Sequence, residues 1–455
     1  MAQLVGAYHF PGWVIGEPNI TWRPNPWAAA DTTNNIYMGD PEFAGRMPLP
    51  GYYNEAQKWV ADWAINEAAD AGIDFFAVDV YWDSVKPFHH RPFEQMLASK
   101  YAHRMKFALL YANPPGAGVA TLAAWRACVD YWIEKYLRHP QMLKIGGKPV
   151  VMIFDTDGGF RQPSWVYKQY PTKSFWGDWK TGLTYYVGNI VRDMTNNLGS
   201  GVAAYWECLT THTAGATMSA HSANWQFRNA SPARVDFGTS MTEALNDARS
   251  RAVAAGLPGI HFVGIQQAHP YWLGPSRMLE LAGFDAISSY AIRYTYTGVN
   301  WSTEAATQTA RAESYNELCT MAESQWDLAL TQSNSNIPYY PLCMAGWDRR
   351  PWIAPASRYP TVDTNTARAD ALCAGSPERF AQHLAQAKLR LQQYPTKTGE
   401  IAMIYAWNEF GEGGYLAPTV GRGRAMGDAV RTTFGKTPVP RATRATAAAR
   451  SARGG

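Results

Sequence analysis

Glu409 and Glu412 stand three residues apart in the run Trp407-Asn-Glu-Phe-Gly-Glu-Gly-Gly-Tyr415. An arbitrary pair of this spacing is usually a solvated loop. Here the pair directly follows 401–406, a short apolar run without charge that suits a strand buried on both faces. Gly411, Gly413 and Gly414 free the backbone for a tight turn that can approach a ligand closely. Trp407, Phe410 and Tyr415 would wall the carboxylates with rings, an environment that drives two carboxyl pKa values apart. One group can then serve as an acid and the other as a base.

The elements that must position this pair alternate along the chain. Apolar strand patterns cover 4–10, 73–82, 106–111, 149–154, 260–266, 286–290, 339–345 and 401–406. Helical spacing falls between them, at 54–71, 91–101, 121–137, 242–255, 276–282, 308–332 and 377–393, with 422–434 closing the fold. Eight strands with helices between predict a (β/α)8 TIM barrel with long loop insertions. An open doubly wound sheet is the alternative, disfavoured because no glycine-rich phosphate loop follows the first strand. The barrel is expected to occupy residues 1–436. The loop 14–52 and an insertion at about 156–240, with a strand at 202–206, interrupt it. The Ala/Arg/Thr-rich 437–455 reads as a disordered tail.

In such a barrel the strand ends converge on one mouth. Candidate binding residues there are Tyr8, His9 and Trp13 after the first strand, Asp79 and Tyr81 on the second, and Tyr111 and Asn113 at the third. Asp155, Gln266 and Tyr290 follow at the fourth to sixth, with Gln267, His269 and Arg293 nearby. Trp347 and Asp348 stand at the seventh, and Trp407, Asn408 and Tyr415 flank the glutamates at the eighth. Asp348 beside Arg349 and Arg350 reads equally as a structural ion pair or a substrate contact. His89-His90 reads as a surface pair with no third metal ligand, so no metal is expected.

Of 455 residues only 17% are charged, the net charge is +4, and 13% are aromatic. That balance announces no polyanion-binding surface and argues against a nucleic-acid partner. Many of the rings sit beside Gly, Pro, Asn and Asp, which suits stacking on the C–H-rich faces of sugars. Five scattered cysteines suggest neither a disulfide framework nor a zinc site. No run is long and apolar enough for a membrane span, and the N-terminus shows no signal peptide as given, which points to a cytoplasmic protein or one whose leader has been removed. Oligomeric state is not legible.

The run from Trp407 resembles the W-N-E-W-x-E-G signature of glycoside hydrolase family 99 and its WbsX-like relatives. Gly6-Ala-Tyr-His-Phe-Pro-Gly-Trp13, Ala71-Gly-Ile-Asp-Phe-Phe76 and Val80-Tyr-Trp82 resemble that family's first two strands. Lys106-Phe-Ala-Leu-Leu-Tyr-Ala-Asn113, Gly147-Lys-Pro-Val-Val-Met-Ile-Phe154 and Gly346-Trp-Asp-Arg-Arg-Pro351 resemble its third, fourth and seventh. Residues 4–434 are covered. The resemblance implies a (β/α)8 enzyme without cofactor that cleaves a glycosidic bond in a polysaccharide or oligosaccharide, with retention. It implies Glu409 as the group that assists the sugar 2-hydroxyl and Glu412 as the acid. The sequence departs from the pattern at Phe410, Pro114 and Ala417, so the resemblance does not specify the sugar. A glycosyltransferase of surface-polysaccharide synthesis and a non-catalytic sugar-binding barrel are the alternatives. The first would need a nucleotide-sugar or lipid-linked donor site, for which no phosphate-binding glycine loop is found, and the second has little use for two close carboxylates.

Overall fold

A computed structural model describes residues 3–16, 25–27, 38–82, 85–113, 119, 121–154, 156, 175–178, 184–185, 190–193, 202–215, 223–232, 241–266, 279–280, 282–292, 294–297, 307–312, 314–331, 333, 335–352, 373–438 and 440. Eight parallel strands form its centre: β1 (Leu4–His9), β2 (Phe75–Trp82), β3 (Lys106–Tyr111), β4 (Lys148–Ile153), β5 (His261–Gln266), β6 (Ala286–Ser289), β7 (Leu342–Met344) and β8 (Ile401–Tyr405). Their order around the sheet is β6-β5-β4-β3-β2-β1-β8-β7. The remaining gap is spanned just ahead of β7, where Ile287 and Tyr339 form a parallel bridge. The Ile287 N–H donates to Pro338 O at 2.8 Å and the Tyr340 N–H to Ile287 O at 2.8 Å. The sheet therefore meets itself as a barrel, and the open-sheet alternative does not hold.

Local chemistry explains the strands. Every residue of β2 is buried, as are those of β8, so both lack a polar face. Gly6 of β1 makes room for its neighbour: a Cβ there would lie 2.2 Å from the Phe75 ring. The outer helices are α1 (Lys58–Asp70), α2 (Arg91–Leu97), α3 (Leu122–Trp132), α4 (Met241–Ala254), α5 (Tyr315–Thr331), α6 (Pro377–Gln393) and α7 (Ala425–Phe434). Thr121 caps α3 by accepting from Ala124 N at 3.1 Å, and Ser376 caps α6, whose first residue is Pro377. Gly72, at φ +83°, turns the chain after α1 into β2. Among the described residues no helix is long and apolar enough to cross a membrane.

Three expectations need correction. The predicted helix 308–332 starts at Tyr315; residues Thr307–Arg311 instead pair antiparallel with Tyr294–Thr297. Alternating threonines and tyrosines favour that pairing, and helical spacing alone had hidden it. His89 is buried rather than on the surface, its ring 5.4 Å from that of Tyr81, because Pro87–Phe88 folds back onto Tyr81 and Trp82. The helix 54–71 is shorter, spanning Lys58–Asp70. Within the insertion, Trp225–Pro232, Val202–Cys208, Ile190–Asp193 and Phe175–Asp178 form a separate four-stranded sheet in that order. The predicted tail lies outside the described residues beyond residue 440.

Candidate active site

The glutamates lie on a hairpin at the C-terminal end of β8. Asn408 pairs with Tyr415 and Glu409 with Gly414, and the Glu412 N–H closes the turn on Glu409 O at 3.1 Å. The glycines let this hairpin lie against the protein itself. A Cβ on Gly413 (φ +79°) would stand 2.5 Å from Asp348 N, and one on Gly414 would stand 2.3 Å from the Tyr405 ring.

Three anchors fix the hairpin. Toward β1, Asn408 accepts from Phe10 N at 2.9 Å and donates to Phe10 O at 2.7 Å and to Glu55 Oε1 at 3.1 Å. Trp13 adds its indole N–H to Asn408 O at 2.9 Å. Toward β7, the Asp348 N–H donates to Glu412 O at 2.6 Å. From the loop after β1, Arg46 donates to Phe410 O at 2.8 Å and Asp348 O at 2.9 Å, and its other Nη pairs with the Asp348 carboxylate. Arg350 holds the same carboxylate at 2.7 Å, so Asp348 is a structural ion pair, and Arg46 is the partner that the sequence did not suggest.

Held this way, the two carboxyl groups face different surroundings. Glu409 is buried, and its Oε1 accepts from the Tyr290 hydroxyl at 2.8 Å. Burial pushes its pKa well above the usual carboxylate range; Glu412 and Asp79 push it further, and the Tyr290 hydrogen bond opposes them. Glu412 is partly exposed, accepts from the Tyr405 hydroxyl, and lies 3.6 Å from Arg349 Nε. Asp79 completes the group from β2. Burial raises its pKa well above normal, the Tyr81 hydroxyl donates to it at 3.3 Å, and Glu412 adds repulsion. Its Oδ1 is buried without a hydrogen-bond partner among the described residues, an acceptor that an incoming hydroxyl could satisfy.

The sequence-selected residues thus divide. Asp79, Tyr81 and Tyr290 surround the glutamates, and the Trp347 ring lies tilted at 5.6 Å from that of Tyr405. Tyr8 lies beneath, its ring 4.9 Å from Tyr290 and its hydroxyl given to Ser289 O at 2.8 Å. Trp13, Asp348 and Asn408 anchor the hairpin, as described. Trp407 is buried against Phe76, and Tyr415 against Phe410. Tyr111 accepts from Val119 N at 2.9 Å, and Asn113 is fully buried. His9 is fully buried with Nε2 3.2 Å from Glu55 Oε1, and burial lowers its pKa to about 3, keeping the ring neutral. Asp155, Gln267, His269 and Arg293 lie outside the described residues, as does the side chain of Gln266. Sequence reasoning missed Arg46, Glu55 and Tyr405, and the approach of Arg349 to Glu412. Only Tyr405 left a signal, as the single hydroxyl in the apolar run of β8. Among the described residues no cluster of three His, Cys, Asp or Glu could hold a metal ion.

Residues 234–430 match the family described as "Glycosyltransferase WbsX". No curated protein matches the chain. Among solved structures, the GH99 endo-alpha-mannosidase from Bacteroides thetaiotaomicron has a TM-score of 0.51 at 13% identity, over 99% of this chain and 98% of that one. A "Glycoside hydrolase-like protein" also has a TM-score of 0.51, at 12% identity over 95% and 94% of the two chains. At this identity the likeness establishes the barrel architecture.

Proposed function

From the premise that the chain is a WbsX-like barrel of the glycoside hydrolase family 99 architecture, we propose that it hydrolyses a glycosidic bond in a polysaccharide or oligosaccharide. The observation that carries this reading is the pair Glu409 and Glu412 on one anchored hairpin, buried to different degrees and flanked by Asp79. Two carboxyl groups in unlike surroundings are what general acid–base cleavage of an acetal requires.

In the proposed reaction, Glu409 takes the proton of the sugar 2-hydroxyl as that oxygen attacks C1. Glu412 protonates the departing oxygen, and the C1–O bond to the leaving group breaks. Glu412 then removes a proton from water, which opens the 1,2-anhydro ring, while Glu409 returns its proton to the 2-oxygen. The balance is one water consumed and the anomeric configuration retained. A sugar hydroxyl is a very weak acid, so burial that strengthens Glu409 as a base favours the first step. The Tyr290 hydroxyl holds that carboxyl in place, and Tyr405 and Arg349 hold Glu412. The endo-alpha-mannosidase of similar architecture makes an α-mannan the first substrate to try.

The name of the matching family favours a second reading, transfer of a sugar from an activated donor. Incubating the protein with a polysaccharide panel, with and without nucleotide sugars, separates the two. Release of reducing ends without donor supports hydrolysis, and donor-dependent chain growth overturns it. Glu412→Gln should lose about 10²–10⁴-fold on a natural glycan and recover much of that loss in the cleavage step of an aryl or fluoride glycoside. Glu409→Gln should stay poor on both. Rescue of Glu409→Gln alone would reverse the two roles, and turnover of a 2-deoxy substrate would exclude the anhydro route.

A further inference from the structure

Beside the hairpin lies a cavity of about 240 Å³ that neither glutamate lines. Arg46, Arg350 and Arg422 enter its wall with Asp348, Glu42 and Tyr415. The charges do not balance. Arg46 and Arg350 share the buried Asp348 carboxylate, and Arg350 also reaches Glu42 Oε1 at 2.8 Å. Both carboxylates are thereby engaged. Arg422 has no carboxylate partner among the described residues. Its guanidinium lies 4.5 Å from the Tyr415 ring centre, and its Nη1 is buried with no hydrogen-bond acceptor among the described residues. Stacking on a ring leaves the edge of a guanidinium, where its N–H groups point, available to an acceptor. A buried N–H of a charged group without an acceptor is rare enough to mark a missing partner. The volume is below that of a drug-sized site and suits one small group.

We propose that this cavity is an anion subsite, taking a carboxylate or phosphate-type group with Arg422 as its principal partner. Three guanidiniums against two carboxylates leave one positive charge to be met. An oxyanion supplies both the charge and the acceptors, and the fork of Arg422 binds such groups through paired hydrogen bonds. A neutral hydroxyl would leave the charge uncompensated. The cavity adjoins the hairpin through Gly413, and Arg46 and Asp348 of its wall hold that hairpin. Two sources share the chemistry: an acidic substituent on the glycan chain, or a free anion such as phosphate.

Calorimetric titration of the full chain with inorganic phosphate, sodium glucuronate and neutral glucose tests this. Binding of at least one anion, absent for glucose, is the expected result. Arg422→Gln should weaken it roughly tenfold or more, and Arg422→Lys, which keeps the charge and loses the fork, should fall between. Tighter binding of glucuronate assigns the subsite to an acidic sugar, and phosphate alone assigns it to a free anion. The proposal is overturned if neither anion binds the folded protein, or if Arg422→Gln binds as tightly as the parent. The measurement needs no turnover. An inactive protein that binds the anion would therefore sink the hydrolase reading and leave the subsite standing, and an active one that binds nothing would do the reverse.

Discussion

Replacing Tyr290 with Phe removes one hydroxyl and keeps the ring that packs between Tyr8, Phe154 and Tyr405. That hydroxyl is the hydrogen-bond donor to Glu409, at 2.8 Å, and it favours the charged carboxylate. A hydrogen bond to a charged group contributes about 1.5–3 kcal/mol, and about 1.4 kcal/mol corresponds to one pKa unit. The variant should therefore raise the already elevated pKa of Glu409 by about 1–2 units. In the proposed reaction Glu409 must be ionised to act as the base, so kcat/KM is expected to fall as pH drops through this pKa. In the variant the acid limb should move to higher pH by the same amount. Below the limb, kcat/KM should drop by about 10–100-fold, with a much smaller change on the high-pH plateau. Carbon-13 titration of the Glu409 carboxyl, with Glu409→Gln to assign its resonance, reads the same shift without substrate. An unmoved limb, or one moved to lower pH, would refute the claim that Tyr290 sets the ionisation of the base.

Asp348→Asn should destabilise the protein by about 3–5 kcal/mol, because Arg46 would be left buried without its carboxylate; a urea midpoint shift equivalent to less than 1 kcal/mol would show that the pair is dispensable. Gly413→Ala places a Cβ 2.5 Å from Asp348 N at positive φ, whereas Gly423→Ala meets positive φ and open space. The second should cost about 1 kcal/mol and the first clearly more, with lost activity; equal melting temperatures would show that the hairpin relaxes freely. A chain ending at Pro440 should melt within about 2 °C of the full chain, since the later residues are too polar to offset about 1–2 kcal/mol of ordering each. A chain ending at Phe434 should melt lower, because it loses the Lys436 bonds to Asp74 and Gln3 O.

The barrel was legible because its strands are short apolar runs that end abruptly in polar residues, as Tyr405 gives way to Trp407-Asn-Glu. The glutamate pair was legible for the same reason. What the sequence could not separate was the role of each polar residue at a strand end. Asp79 and Asp348 look alike in print, yet one keeps an oxygen free beside the glutamates and the other is spent on two arginines. The difference lies in Arg46, about three hundred positions away from Asp348, which no local pattern could supply. His9 and Asn408 illustrate the same limit: each is polar, each sits at the mouth end of a strand, and each is buried beside Glu55, Asn408 by a hydrogen bond and His9 by a 3.2 Å contact. The pairing of Tyr294–Thr297 with Thr307–Arg311 was missed because helical spacing and strand alternation compete in such threonine-containing segments, and tertiary pairing decides.

Because β8 lies between β1 and β7, and Asn408 is fastened to Phe10 across 398 positions, two stretches far apart in the sequence meet beside the two glutamates. A nascent chain emerging from the ribosome carries strands β2 to β6 long before it carries either glutamate. Loop closure over such a span comes late in folding, so on the proposed reading hydrolytic competence would arrive only once β8 and its hairpin had been made. Any product of premature termination before residue 409 would lack both proposed catalytic groups, whatever fraction of its barrel had formed. The arrangement also sets a rule for dissection: two fragments divided within 353–372 would each be inert, and activity on mixing them would report that the last strand had found its slot.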